Sequence, residues 1–295
     1  MDPVQRARRG LIIFFVVLLA LTLPIELDIV QNGLEMERFL PLAFVPALSS
    51  LVARTVMREG FRDISFRLDA KSRRGMLHGL LYPLAVAVPA YAIAFALHLV
   101  SFAPPTSHPL GFGIPGDVPI ARFFSGFLIS ISVGILGMAP LAVGEEVGWR
   151  SYLLTRLIQA RVRYPVLVCG VVWAFWHAPL VLSGQYNPSA YQKLSFALFV
   201  VTMVSLGSLL ARLRLETDSI WPPVVLHAAW NSIIVGFLSE CTPDKEQAAI
   251  WVSEGGIFVS LWMVCVAIIV HWAWGHGKPD DVPHRVSESP STSVE

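Results

Sequence analysis

Charge is the scarcest resource of this sequence. Only 15% of its 295 residues are Asp, Glu, Lys or Arg, and the formal net charge is +1. A nucleic-acid binder would carry a concentrated basic excess, so that class is excluded. Cysteine is nearly as sparse: Cys169, Cys241 and Cys265 are far apart, which leaves neither a disulfide framework nor a CxxC metal site. They read as ordinary buried thiols. The helical zinc signature HExxH is absent, and "FFSGF" around Ser125 lacks the glycine two positions before Ser that a nucleophilic elbow would show. "GIPGD", Gly113 to Asp117, resembles an aspartyl protease motif only superficially: it sits in a Pro-rich loop with no second membrane aspartate, and reads as a turn. What the chain has instead is apolar length, with 55% hydrophobic residues and a mean hydropathy of +0.62, values that belong to a protein living in lipid.

A bilayer core about 30 Å thick needs roughly 20 apolar residues per helical crossing. Eight such runs can be cut from the sequence: Gly10 to Leu27, Phe39 to Met57, Gly75 to Phe102, Ile120 to Val143, Tyr164 to Leu182, Leu194 to Leu213, Ser219 to Ser239 and Ile250 to Trp272. The third contains Pro83 and Pro89, which predicts a tilt or kink. The expected fold is therefore an all-α, polytopic transmembrane bundle occupying residues 1–277, with a motif core at 120–240. The polar, Pro/Ser-rich tail 278–295 reads as disordered and cytoplasmic. The first run follows Arg6, Arg8 and Arg9 but precedes no small-residue cleavage site, so it reads as a retained span and not a signal peptide.

Cytoplasmic loops collect Lys and Arg. Eighteen of the 22 basic residues fall in Arg6–Arg9, Arg54–Arg74, Arg150–Arg163, Arg212–Arg214 and the tail, leaving Arg38, Arg122, Lys193 and Lys245 for the other side. Both termini are expected in the cytoplasm, which an even number of spans permits. The loop from Ala103 to Pro119, dense in Pro and Gly, is expected as irregular structure on the other face.

Three polar stretches interrupt the apolar background. "LAVGEEVGWR" carries Glu145, Glu146 and Arg150 directly after the fourth run, with Glu146 and Arg150 four apart and able to pair on one helical face. Alone, this is as readily a loop start lying in headgroups. "VVWAFWHAPL" puts His177 within the fifth run, one turn after Trp173, and "PPVVLHAAWN" puts His227 and Asn231 four apart in the seventh. A full charge inside a span costs roughly 2.5 to 3.5 kcal/mol on insertion scales, so such groups mark a site by default. One membrane histidine could serve helix packing; two, with an amide and a diacidic pair, are harder to dismiss.

Read as "EEVGWR", "WAFWH" and "HAAWN", the three stretches resemble the CPBP family of intramembrane proteases, which includes Rce1-type CAAX prenyl endopeptidases and bacterial Abi proteins. Their order and their spans fit the family's layout; the middle motif usually begins with Phe, where this chain has Trp173. The resemblance implies an endopeptidase, integral to the membrane, that hydrolyses a peptide bond near the cytoplasmic leaflet. Glu145 would act as base, His177 would orient or polarise the same water, and His227 with Asn231 would hold the oxyanion. Glu146, Arg150 and Trp173 would support them. The family is often labelled metalloprotease, and Glu145, His177 and His227 are the His2Glu set used by catalytic zinc; a metal-free account uses the same residues. The implied partners are membrane lipid and a peptide or protein substrate, a prenylated C-terminus where the host prenylates proteins. From another class, a transporter or non-catalytic membrane scaffold could use the same Glu/His cluster for proton relay or ligand binding.

His78, His98, His108, His271, His276 and His284 lie near span ends or in loops and read as interfacial. Trp149, Trp173, Trp176, Trp221 and Trp230 gather near the motifs, where packing is the first reading and lining a channel for a greasy substrate the second.

Overall fold

The computed structural model describes residues 2–109 and 111–275, so the tail 278–295, His276 and His284 lie outside the described residues. Among the described residues the protein is helical throughout, apart from an isolated bridge between Ser107 and Gly113 in the Pro/Gly-rich loop. Helices α1 (Pro3–Asn32), α2 (Met36–Met57), α3 (Ala70–Ala96), α4 (Pro119–Gln159), α7 (Gln192–Thr217) and α8 (Trp221–Leu238) are each long and apolar enough to cross a membrane. Between α4 and α7 lie α5 (Pro165–Trp176) and α6 (Ala178–Leu182). The short α9 (Lys245–Trp251) and then α10 (Ile257–Gly275) complete the order. Six helices, not eight, meet the length and hydropathy that spanning requires; α5 and the apolar part of α10 are shorter.

Two expectations need correction. "EEVGWR" does not follow the fourth span: α4 runs on through it to Gln159, a single helix of 41 residues. The charges read as an exit from lipid are instead buried, Glu145 at 4% exposure and Glu146 and Arg150 at 0%. The fifth run, in turn, is not one helix. It breaks at His177, whose φ/ψ of −85°/−6° closes α5 and opens α6. Pro179 explains the break, since proline has no amide hydrogen to continue an α-helical ladder but is tolerated in a helix's first turn.

Close backbone approach fixes the position of α4. A Cβ on Gly148 would lie 2.4 Å from the Pro46 carbonyl carbon, and one on Gly144 would lie 2.7 Å from the Ala43 oxygen. These two glycines, four apart, let α2 seat against α4 without side chains between them, as small residues do at membrane helix interfaces. Glu145 and Glu146, between them in sequence, are thereby presented to the bundle interior.

The arginine-rich segments gather at one end of the bundle. Arg6 donates to the carbonyls of Met57 and Arg58, at 2.6 and 3.1 Å. Arg156 meets Glu59 at 2.8 Å and Asp63 at 3.2 Å, and Arg54 also pairs with Asp63. Arg214 donates to the Asp63 carbonyl at 2.6 Å, and Arg67 lies 3.6 Å from Asp218. Nearby, Asp69 caps α3 by accepting from the Ser72 amide at 2.8 Å. That bond holds its carboxyl below the usual aspartate range.

Candidate functional site

α4, α5 and α8 each bring one motif to a common cavity of about 320 Å³, lined by Glu145, Trp173, His177, His227 and Asn231. That volume is within the range of small-molecule and peptide side-chain pockets. At roughly 1.5 Å per residue, Glu145 lies about 20 Å along α4 from Gln159, and His177 is at a similar depth along α5. Both therefore sit deep in the bundle.

Glu145 is held by two indoles. Its Oε2 accepts from Trp173 Nε1 at 2.7 Å and from Trp149 Nε1 at 3.2 Å, while its Oε1 lies 3.9 Å from His227 Nε2. Neutral donors fix the orientation of the carboxyl group, and Oε1 keeps lone pairs for a further partner. Glu146 has a different environment. Its Oε1 accepts from Arg150 Nη1 at 2.7 Å and from His227 Nδ1 at 2.8 Å. The expected Glu146–Arg150 pair is thus present, and it reaches further than expected, because it also grips the second histidine. Arg150 stacks over the Trp173 ring at 4.3 Å, which ties the pair back to the indole that holds Glu145.

The two imidazoles are oriented alike. His177 Nδ1 lies 2.9 Å from the Trp173 carbonyl, an acceptor, so the hydrogen is assigned to Nδ1 and the Nε2 lone pair is left for the cavity. His227 spends Nδ1 on Glu146, which again leaves Nε2. Aromatic faces pin both rings: Trp176 lies 4.8 Å and Phe199 5.5 Å from His177, and Trp173 lies 5.3 Å from His227. An imidazole that commits one nitrogen to a carboxylate or carbonyl and presents the other is also the pattern around metal-ligating histidines. Yet among the described residues no three His, Cys, Asp or Glu side chains are grouped closely enough to hold a metal ion, so Glu145, His177 and His227 do not form a ligand sphere as arranged.

Asn231 opens a π-helical stretch, Asn231–Leu238, and a second one, Trp149–Leu153, begins four residues after Glu145. Single-turn π segments recur at functional sites because they rotate side chains out of α-helical register. Trp173, where the resembled family usually has Phe, supplies the 2.7 Å bond to Glu145 that a phenyl ring could not.

Sequence reasoning missed two residues of the cavity wall. Glu254, 4% exposed, accepts from the Tyr186 hydroxyl and from Trp230 Nε1, and Glu254 and Tyr186 both line the cavity. Glu254 stands in a turn between α9 and α10 with no helical spacing to the motifs; its one signal was an acid inside the eighth apolar run, which the turn at 252–256 divides. Trp149, Trp173, Trp176 and Trp230 are buried, in line with the packing reading, and Trp173 and Trp230 also line the cavity. His108, in the Pro/Gly-rich loop, is buried: it is 3% exposed, 3.1 Å from Ser130 Oγ and stacked on Phe112.

Leu34, Glu35 and Met36 between α1 and α2, Pro109, and Glu240 after α8 also line the cavity.

No curated protein matches the chain. Residues 124–233 of this integral, multi-pass membrane protein, which contain all three motifs, match the Rce1-like family model, described as type II CAAX prenyl endopeptidase Rce1-like, a similarity that supports a CPBP/Rce1-type family.

Proposed function

We propose that the cavity is the active site of an intramembrane endopeptidase in which Glu145 and His177 activate water. Amide hydrolysis needs a base, a held water, donors for the developing oxyanion and a proton for the leaving amine. Glu145 Oε1 removes a proton from water that His177 Nε2 orients, and the resulting hydroxide adds to the scissile carbonyl. Asn231 Nδ2 and a protonated His227 Nε2 donate to the oxyanion. On collapse, the proton taken by Glu145 passes to the amine as the C–N bond breaks. Glu146 is the positioning residue for His227, in the way a buried carboxylate orients the imidazole of a hydrolase triad. Should a divalent ion such as zinc bind here, Glu145, His177 and His227 are the donors that would close on it, and it would supply Lewis acidity.

The observation that supports this reading is the convergence of three sequence-distant motifs on one cavity, with Glu145 held by neutral donors. The test is peptide release by purified protein in detergent or lipid. Glu145→Gln, His177→Ala and His227→Ala should each abolish cleavage while the protein stays folded by thermal unfolding. Wild-type turnover in any of the three would remove that residue's role. Chelation followed by re-addition of zinc decides the cofactor: activity lost and restored assigns a metal, activity untouched assigns the carboxylate and imidazole alone.

A further inference from the structure

We propose that Glu254 is a positioning residue of the peptidase site, one carboxylate that ties the His177 side of the cavity to the His227 and Asn231 side; this rests on the peptidase reading of the site. Glu254, Tyr186 and Trp230 line the cavity together with Glu145, His177, His227 and Asn231. The carboxylate divides its oxygens: Oε1 accepts from Trp230 Nε1 and Oε2 from the Tyr186 hydroxyl. Trp230 is the residue before Asn231, where α8 turns π-helical, and it stands three residues after His227. Tyr186 follows α6, with its amide bonded to the Leu180 carbonyl at 3.0 Å. Its ring lies 6.3 Å from His177 and 6.1 Å from Phe199, which itself lies 5.5 Å from His177.

These bonds complete a circuit. Glu145 accepts from Trp173 on α5, and α5 leads through His177 and α6 to Tyr186. Tyr186 and Trp230 meet on Glu254, and α8 returns to α4 through His227 and Glu146. The turn that carries Glu254 is itself braced. A Cβ on Gly255 would lie 2.5 Å from the Ser195 carbonyl oxygen, so the turn rests directly on α7, and Ser260 of α10 meets Thr202 of α7 at 2.9 Å. A carboxylate on so fixed a turn holds its two donors at a set separation. With them it holds the spacing between the imidazole that orients water and the amide that donates to the oxyanion. Rate depends steeply on such spacing, since a misplacement of about 1 Å can cost about 100-fold.

The experiment measures peptide release by the full chain and its variants, each below its unfolding temperature. Glu254→Ala opens the circuit and should lower kcat about 10- to 100-fold. Glu254→Gln should recover most of that loss, because its amide oxygen accepts from Trp230 while its NH2 group donates to the Tyr186 oxygen. Tyr186→Phe alone should lower kcat, and adding it to Glu254→Ala should lower it no further, the shared link being already gone. Glu254→Ala with kcat unchanged and only KM raised overturns the proposal, as does a Glu254→Gln loss as deep as that of Glu254→Ala, or a double variant whose loss is the product of the single ones. Hydrogen exchange supplies a readout that needs no cleavage. Amides of 177–187 and 227–238 should exchange faster in Glu254→Ala and at the wild-type rate in Glu254→Gln; exchange unchanged in Glu254→Ala also overturns the link. A wild-type chain that releases no peptide but shows the expected exchange pattern counts against the peptidase reading and leaves the link between the two elements standing.

Discussion

Two ends of the bundle handle buried charge in opposite ways. At the arginine-rich end, Glu59 and Asp63 face guanidinium groups: Arg156 lies 2.8 Å from one and 3.2 Å from the other, and Arg54 also pairs with Asp63. At the cavity end, Glu145 is held by two indole N–H groups and Glu254 by a phenol and an indole. A carboxyl group paired with a cation inside a bundle is committed to that ion pair and serves packing; one held by neutral donors is oriented without a counter-charge and has lone pairs left for a further partner. Glu146, bonded to both Arg150 and His227, stands at the boundary between the two regimes. In the mechanism proposed above, that difference separates a supporting acid from the base only one residue away.

The largest effect that can break this comparison is removal of the reactive charge with shape retained. In Glu145→Gln the amide oxygen still accepts from the indoles, so the fold should survive with little change in Tm, while turnover should fall by about 10² to 10⁴-fold, the usual worth of a general base. Next comes removal of a cation. Arg150→Met breaks the buried ion pair with Glu146 and leaves that acid its bond to His227, which should cost about 3 to 5 kcal/mol of stability and, through His227, activity as well. Arg156→Met should destabilise too, but the molecules that stay folded should cleave at the wild-type rate, because its partners do not touch the cavity. Thermal unfolding and peptide release on the same samples check both. Equal loss of specific activity in the two arginine variants would erase the distinction between the ends.

Much of the site was legible because its chemistry is local. Glu146 and Arg150 are one helical turn apart, as are His227 and Asn231, and each pair is readable from spacing. Burial was not. "EEVGWR" looks like a helix leaving the membrane, since isolated charges cost too much to stay; only the cross-helix partners His227 and Trp173, 81 and 28 residues away from the acids they bond, make burial tolerable. The break at His177 was signalled by Pro179, yet an apolar run conceals a kink that costs no hydropathy. The distribution of Lys and Arg identified which loops share an end but not that the Trp149–Leu154 segment packs there without exposed surface, because that depends on contacts with distant helices.

Glu254 tests whether acids held by neutral donors act alike. Truncation in Glu254→Ala strips Tyr186 and Trp230 of their acceptor, and each buried donor left without a partner costs about 1 to 3 kcal/mol. Glu254→Gln retains an acceptor and should recover most of that stability. If Glu254 only supports the wall, Glu254→Gln should keep near-wild-type kcat and shift KM alone. A fall in kcat like that of Glu145→Gln would make it a second reacting acid.

The smallest and most discriminating effects belong to the indoles. Trp173 donates to Glu145 at 2.7 Å and Trp149 at 3.2 Å, and a hydrogen bond to a charged group contributes about 1.5 to 3 kcal/mol. Trp173→Phe restores the aromatic usual in the resembled motif while deleting the shorter bond, so turnover should fall by about ten- to a hundredfold, at roughly 1.4 kcal/mol per decade, with stability little changed. Trp149→Phe deletes the longer bond and should cost less than Trp173→Phe. Because both indoles converge on the same Oε2, the double variant should not simply combine the two losses: with one bond gone, the carboxylate swings to strengthen the other, and removal of both frees it to rotate. A loss in the double variant larger than the product of the single ones would mean that orienting Glu145 is a shared task of the two rings. A loss equal to the product would mean that each ring acts by itself, and the contrast between cation-paired and indole-held acids would then rest on charge alone.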